Sequence, residues 1–195
     1  MTGYNFTDRV RRCLQLAREE ADRLRHGEVR PEHILLGILD DDNGVGVHAL
    51  VHLGADLGAL RKGIVGRMPP GNADASGPDR PYTRRAKQVL EDAMREARDL
   101  GHAYVGTEHL LLGTASDEQG SCAVELAAQD VTLDVLRAEI LRLVGSPEIQ
   151  PGSKGDLLAR AAKLVRRLKG DPPPDAREVK RIAIELETII DQLRE

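Results

Sequence analysis

Residues 29–37 read Val-Arg-Pro-Glu-His-Ile-Leu-Leu-Gly, and residues 105–113 read Val-Gly-Thr-Glu-His-Leu-Leu-Leu-Gly. The two stretches lie 76 residues apart. Sliding the chain against itself by that offset aligns Thr7–Arg67 with Thr83–Leu143 without a gap, and 21 of the 61 pairs are identical. The matches include Thr7/Thr83, Leu14/Leu90, Ala17/Ala93, Glu20/Glu96, His26/His102, Glu32/Glu108, His33/His109, Gly37/Gly113 and Ile64/Ile140. Self-similarity at one fixed offset is the mark of a supersecondary unit used twice.

Each repeat reads as four helices. The first opens at Thr7, a good N-cap, and carries Val10, Leu14, Ala17, Ala21 and Leu24 as an apolar stripe at helical spacing. His26-Gly27 ends it. The second, Glu32–Leu39, is so apolar that it is expected to be buried on most sides. A turn at Asp41-Asp42-Asn43-Gly44 leads to a third helix at about 45–53, and a fourth runs over about 56–66. The second repeat follows the same plan from Thr83. The fold class is therefore all-α: two tandem four-helix repeats followed by a C-terminal helical hairpin.

The expected organisation places the repeats in residues 1–144, with repeat one at about 5–67 and repeat two at about 82–144. Between them, 68–81 holds four Pro and two Gly and reads as an exposed linker. A second linker covers 145–155. In 156–195, Leu157, Leu158, Ala161, Leu164, Val165 and Leu168 form one apolar face, and Val179, Ile182, Leu186, Ile189, Ile190 and Leu193 another. Asp171-Pro172-Pro173-Pro174 separates them, so an antiparallel hairpin is expected. Its apolar face needs cover from the repeats, from a partner, or from self-association through 156–194.

Composition excludes several classes. The 195 residues include four aromatics, Tyr4, Phe6, Tyr82 and Tyr104, while 41% of the chain is hydrophobic. A core of Leu, Ala, Val and Ile argues against β-sandwiches, and so few rings argue against base stacking. With 28 basic and 32 acidic residues the net charge is −4, which speaks against nucleic acid as partner. No apolar run reaches the roughly 18 residues of a membrane span. The polar start, Met1–Arg12, does not read as a secretory signal. The two cysteines, Cys13 and Cys122, make no disulfide framework, and a reduced, cytoplasmic protein is expected.

With Phe6-Thr7-Asp8-Arg9 at the start and Gly106-Thr107-Glu108-His109-Leu110-Leu111-Leu112-Gly113 further on, residues 5–144 resemble the Clp N-terminal (Clp repeat) domain of the AAA+ unfoldases ClpC and ClpA. That resemblance implies a pseudo-twofold, eight-helix domain. It implies partners too: the Clp ATPase/ClpP machinery, its adaptors, marked substrate proteins, and cyclic-peptide ligands. No G-x-x-x-x-G-K-[ST] phosphate loop occurs. The expectation is thus the recognition half of such a chaperone without its motor, not an enzyme and with no cofactor. It would work as adaptor or decoy. A ligand-responsive stress or transcriptional regulator is the alternative.

The resemblance also implies site residues. The Glu of Gly-Thr-Glu-His receives the guanidinium of phosphoarginine, which assigns Glu108, with Thr107 and His109, to substrate binding. The phosphoryl group would then face a helix N-terminus. Repeat one departs from the motif with Arg30-Pro31-Glu32-His33; Pro31 lacks an N–H and a hydroxyl. Glu32 and Arg30 are carried as the weaker counterpart. Acid in a first helical turn is also favoured by the helix dipole alone, and Thr107 reads as an ordinary N-cap. Phe6, Arg11, Tyr82, Lys87 and Glu91 would line an adaptor or peptide groove; the plainer account of Phe6 and Tyr82 is a hydrophobic staple. His48 and His52 read as a surface pair, and no metal site is expected. No catalytic triad or paired acid is apparent. Lys163, Arg166, Arg167 and Lys169 form a basic patch.

Overall fold

The computed structural model describes residues 5–41, 43–72 and 80–144, with scattered positions between 161 and 190. It divides into two compact units, Met1–Leu141 and Arg142–Glu195. Repeat one holds β1 (Asn5–Phe6), α1 (Asp8–Arg23), α2 (Pro31–Leu39), α3 (Val45–His52) and α4 (Leu57–Arg67). Repeat two holds α5 (Arg84–Asp99), β2 (Tyr104–Val105), α6 (Thr107–Ala115), α7 (Ser121–Ala127) and α8 (Leu133–Val144). The protein is all-α, with two-residue strands that helical periodicity could not announce. Among the described residues no helix is long and apolar enough to cross a membrane.

Those strands tie the repeats together. Phe6 pairs in parallel with Val105, and Tyr82 forms a parallel bridge with Val29. The positions are equivalent under the 76-residue offset. Thr7 N–H donates to Val105 O at 3.1 Å, and Thr83 N–H donates to Val29 O at 2.9 Å. The segment leading into each repeat therefore satisfies its backbone on the other repeat. Each such bond contributes roughly 0.5–1.5 kcal/mol net, and leaving it unmade inside the protein would cost more.

Thr7 and Thr83 cap α1 and α5, accepting from Val10 N–H and Ala86 N–H. The two long helices bury Val10, Cys13, Ala17 and Ala21, and at the equivalent places Ala86, Val89, Ala93 and Ala97. Against these faces lie α2 and α6, the centre of the core. His33–Leu39 is buried throughout, as is all of α6. Close packing comes from glycine. A Cβ on Gly37 would collide with the Cys13 carbonyl and come within 3.0 Å of Ala17 N; one on Gly113 would meet the Val89 carbonyl and Ala93 N in the same way. Outer ion pairs also repeat: Glu20–Arg61 and Glu96–Arg137, then Arg9–Asp41 and Arg85–Asp117.

Some expectations need correcting. The linker at 68–81 is not simply exposed at its described ends. Arg80 is buried, its guanidinium bonded to Asp22 and to the His26 carbonyl. His26 Nε2 meets Pro69 O at 2.8 Å. Residues 73–79, Tyr4 and the linker 145–155 lie outside the described residues. So does most of the hairpin at 156–195, with Lys163, Arg166 and Lys169 of the basic patch. In that unit, the described positions are helical; Ile182 and Ile189 are buried, while Val165, Leu168, Val179 and Ile190 are exposed.

Gly113→Ala is expected to destabilise the protein by about 1–3 kcal/mol, because the methyl meets backbone that cannot step aside; urea denaturation measures it. Helix ends give a second test. Arg25 (φ 56°) sits where repeat two has Gly101, and Asp130 (φ 61°) where repeat one has Gly54. Arg25→Gly relieves a left-handed strain and should raise stability by up to about 1 kcal/mol, seen as a higher Tm.

Candidate functional site

The site is built on the starts of α2 and α6. At each, the third helical residue is a histidine that turns back on its own cap. Arg30 N–H donates to His33 Nδ1 and Gly106 N–H to His109 Nδ1, both at 2.9 Å. A backbone N–H only donates, so Nδ1 accepts and Nε2 carries the proton. His33 Nε2–H then donates to His26 Nδ1, and His109 Nε2–H to His102 Nδ1, each at 2.8 Å. Burial, reinforced by the neighbouring His26, pushes His33 down to about 4; burial and His102 do the same to His109. Both rings are neutral at physiological pH, and both hold a helix start rather than a ligand.

The two glutamates behave differently, and the reason is local. Glu108 is 4% exposed. Its carboxylate folds back over Gly106, where a Cβ would lie 2.6 Å from Glu108 Cδ. Arg30 occupies that place in repeat one and its Cβ denies Glu32 the same fold. Glu32 instead reaches across the repeat boundary and accepts from the Ser121 hydroxyl. Burial raises the Glu108 carboxyl above the ordinary range, although its own backbone N–H opposes this. Its one ion-pair contact among the described residues is His109 Nδ1 at 3.3 Å, on a neutral ring. No Lys or Arg among the described residues pairs with it.

Thr107 is not the cap. Gly106 is, and Thr107 is the first residue of α6. Its hydroxyl crosses to repeat one, accepting from Gly46 N–H at 3.3 Å. Close approach explains Gly46 as well: a Cβ there would stand 2.8 Å from Thr107 O. Pro31, the counterpart of Thr107, makes no such bond.

The residues assigned to a groove sit at the lead-in segments and on the outer faces of α1 and α5. Phe6 and Tyr82 mark the two crossed pairings. The Arg18 guanidinium lies 5.1 Å from the centre of the Tyr82 ring, whose buried hydroxyl has no hydrogen-bond partner among the described residues. Arg11 is exposed and pairs with Asp8 at 2.6 Å. Lys87 and Glu91 are exposed. Among the described residues, no hydrogen bond or ion pair joins Arg11, Lys87 and Glu91 to one another.

Two cavities among the described residues bear on these elements, one at the start of α2 and one between the start of α1 and the end of α2. One of about 260 Å³ brings Glu32 against Arg85, Asp92 and Ser121 of repeat two. The other, about 440 Å³, is lined by Arg9, Arg12, Asp40 and Asp41 with Asp8 and Asn43. Arg9 and Asp41 are the repeat-one counterparts of Arg85 and Asp117. Sequence reasoning missed Asp92 and Ser121, and read Gly106 as part of the motif without giving it a role of its own. The signal for them was present as departures from the repeat, at Leu16, Val45 and Arg30 respectively.

The remaining candidates are quickly placed. His48 is buried, not on the surface; His52 pairs with Glu139 at 3.2 Å. Burial pushes the Cys13 thiol up to about 12 and raises Cys122 strongly, so neither is a ready thiolate. His102, Glu108 and His109 bring ligand-type atoms within 4.8 Å of one another. Hydrogen bonds already commit both ring nitrogens of His109, which accounts for that cluster.

A double-repeat helical module with crossed lead-in segments is a recognisable class. A family model described as the Clp repeat (R) N-terminal domain matches residues 5–129 and 81–170, and the chain belongs to that family. It is similar to the chaperone protein ClpB of Oceanobacillus iheyensis, 39% identical over 155 residues. It is also similar to the negative regulator of genetic competence ClpC/MecB of Bacillus subtilis, 40% identical over 150 residues. Each match covers 77% of this chain and 18% of the relative, so the chain spans under a fifth of their length. The fold is that of the N-terminal domain of ClpD from Arabidopsis thaliana (TM-score 0.58, 24% identity, 73% of this chain and 96% of that one). It is shared with the Hsp104 N-terminal domain from Candida albicans (TM-score 0.61, 19% identity, 78% and 99%).

The histidine pairs make stability depend on pH. Unfolded histidine titrates near 6.5 and folded His33 and His109 near 4. Their contribution is fully present above about pH 6.5 and is lost as pH falls from there towards 4. Glu108, with its carboxyl raised, acts in the opposite sense. Tm measured across that window should drop on acidification, and His33→Gln with His109→Gln should flatten the slope.

Proposed function

We propose that this chain is a non-catalytic recognition module that binds degradation substrates or adaptors of a Clp unfoldase, serving as adaptor or decoy for that machine. Residues 1–144 carry recognition, 145–155 act as a linker, and the hairpin at 156–195 is the tether. Glu108 takes the guanidinium of phosphoarginine, with Thr107 and His109 fixing the start of α6 that presents it, and Glu32 with Arg30 is the equivalent substrate-binding place in repeat one. Phe6, Arg11, Tyr82, Lys87 and Glu91 form the adaptor or peptide groove.

One observation carries this reading: Glu108 is a buried carboxylate with no Lys or Arg partner among the described residues. A buried charge without a counter-charge is costly. A planar guanidinium entering as the carboxylate leaves Gly106 would supply the missing partner through paired hydrogen bonds. The phosphoryl group would then lie at the N-terminus of α6, where backbone N–H groups and the dipole favour an anion. Membership of the Clp repeat family supports a role in feeding or regulating such a machine.

The test is calorimetric titration of the intact protein with a phosphoarginine peptide. Glu108→Ala should abolish binding while helicity stays unchanged. Because burial raises the Glu108 carboxyl and only its ionised form pairs with a cation, affinity should weaken as pH falls through the upper carboxylate range. A wild type that binds no phosphoarginine at neutral pH sinks the assignment.

A further inference from the structure

We propose that the cavity beside Glu32 is a site for an unmodified cationic side chain, an arginine guanidinium presented by a peptide. This rests on the reading that the repeats recognise peptides, and gives the Glu32 site a ligand unlike the one assigned to Glu108. The volume is about 260 Å³. That is below the roughly 300–1,000 Å³ of drug-sized pockets and suits a single side chain.

Charge selects the ligand. Three carboxylates line the cavity, Glu32, Asp92 and Asp117, with one guanidinium, Arg85. Arg85 is already committed to Asp117. Asp92, only 7% exposed, is matched by Arg95 at 2.9 Å and by Gln88 at 3.1 Å. Glu32 is left with a neutral hydroxyl, that of Ser121. Arg85, bonded to Asp117, reaches Glu32 only through its field, so among the described lining residues three carboxylates face one guanidinium and a further positive charge is called for. The Ser121 oxygen donates its proton to Glu32 and keeps lone pairs for a guanidinium N–H. Thr114 donates to Leu111 O and likewise keeps acceptor capacity on the cavity wall. A forked donor suits several acceptors at once.

The repeat supplies an internal comparison. Asp92 stands where repeat one has Leu16, Ser121 where it has Val45, Cys122 where it has Gly46, and Gln88 where it has Arg12. The counterpart cavity keeps Arg9 and Arg12. Each cavity is lined by three carboxylates, but the Glu32 cavity has one cation where its twin has two, and it gains hydroxyls at Ser121 and at Ser116, which stands where repeat one has Asp40. A phosphoryl group would meet three carboxylates there and no uncommitted cation among the lining residues. Phosphorylation of the arginine therefore blocks this site rather than creating it.

The experiment uses the intact protein and one short unstructured peptide in three forms: arginine, its neutral isostere citrulline, and phosphoarginine. Calorimetry gives affinities, and amide NMR shifts give the place. The arginine form should bind, with shifts at Ser116 and Ser121. The citrulline form, and the arginine form against Glu32→Gln, should each bind about tenfold more weakly or worse. Asp92→Leu should weaken the arginine form as well. Equal binding of arginine and citrulline by the wild type overturns the proposal, and needs no variant that must fold. Tighter binding of phosphoarginine than arginine through Glu32 also overturns it. The phosphoarginine assignment at Glu108 stands or falls separately, on loss of that peptide in Glu108→Ala.

Discussion

Everything in the repeat unit depends on a crossed exchange of backbone hydrogen bonds. Phe6 leads into repeat one but pairs with Val105 of repeat two; Tyr82 leads into repeat two but pairs with Val29 of repeat one. Neither repeat can satisfy its own entry segment alone. Two four-helix units of about sixty residues are small cores to hold independently, and the exchange makes them one body. It also sets where the starts of α2 and α6 lie, because Val29 and Val105 each stand just ahead of those helices.

Around that frame the two halves repeat down to single contacts. Gly37 and Gly113 let a central helix ride on the backbone of a long one, and the two histidine pairs pin the helix starts in one tautomer. Such features explain why Gly, His and Leu recur while the outer faces drift. A buried imidazole with both nitrogens committed tolerates no substitute of other shape, whereas an exposed Arg can become Lys at no comparable cost.

Function lives where the symmetry fails. Gly106 gives Glu108 room to fold back and be buried; Arg30 removes that room and sends Glu32 to Ser121. One glutamate becomes a buried acid with no Lys or Arg partner among the described residues, and the other the rim of an acidic cavity. The same motif thus yields two electrostatic environments, through the presence or absence of one Cβ and the neighbours that the other repeat happens to offer.

The helices, the twofold plan and the family were legible in the sequence, because periodicity, caps and self-similarity are properties of local chain order. Glu32, Glu108 and the histidines stood out for the same reason. Other facts depend on residues distant in the chain. Thr107 looks like a cap and is instead a cross-repeat acceptor for Gly46; His48 looks like half of a surface pair and is buried. Arg80 looks like linker and is packed on Asp22 and His26. Ser121, Asp92 and Glu32 share a cavity although Glu32 belongs to the other repeat. Local order determined what each helix is; only tertiary packing decided which acids would meet a cation, because burial and counter-charge are set by whatever the fold brings within a few ångströms.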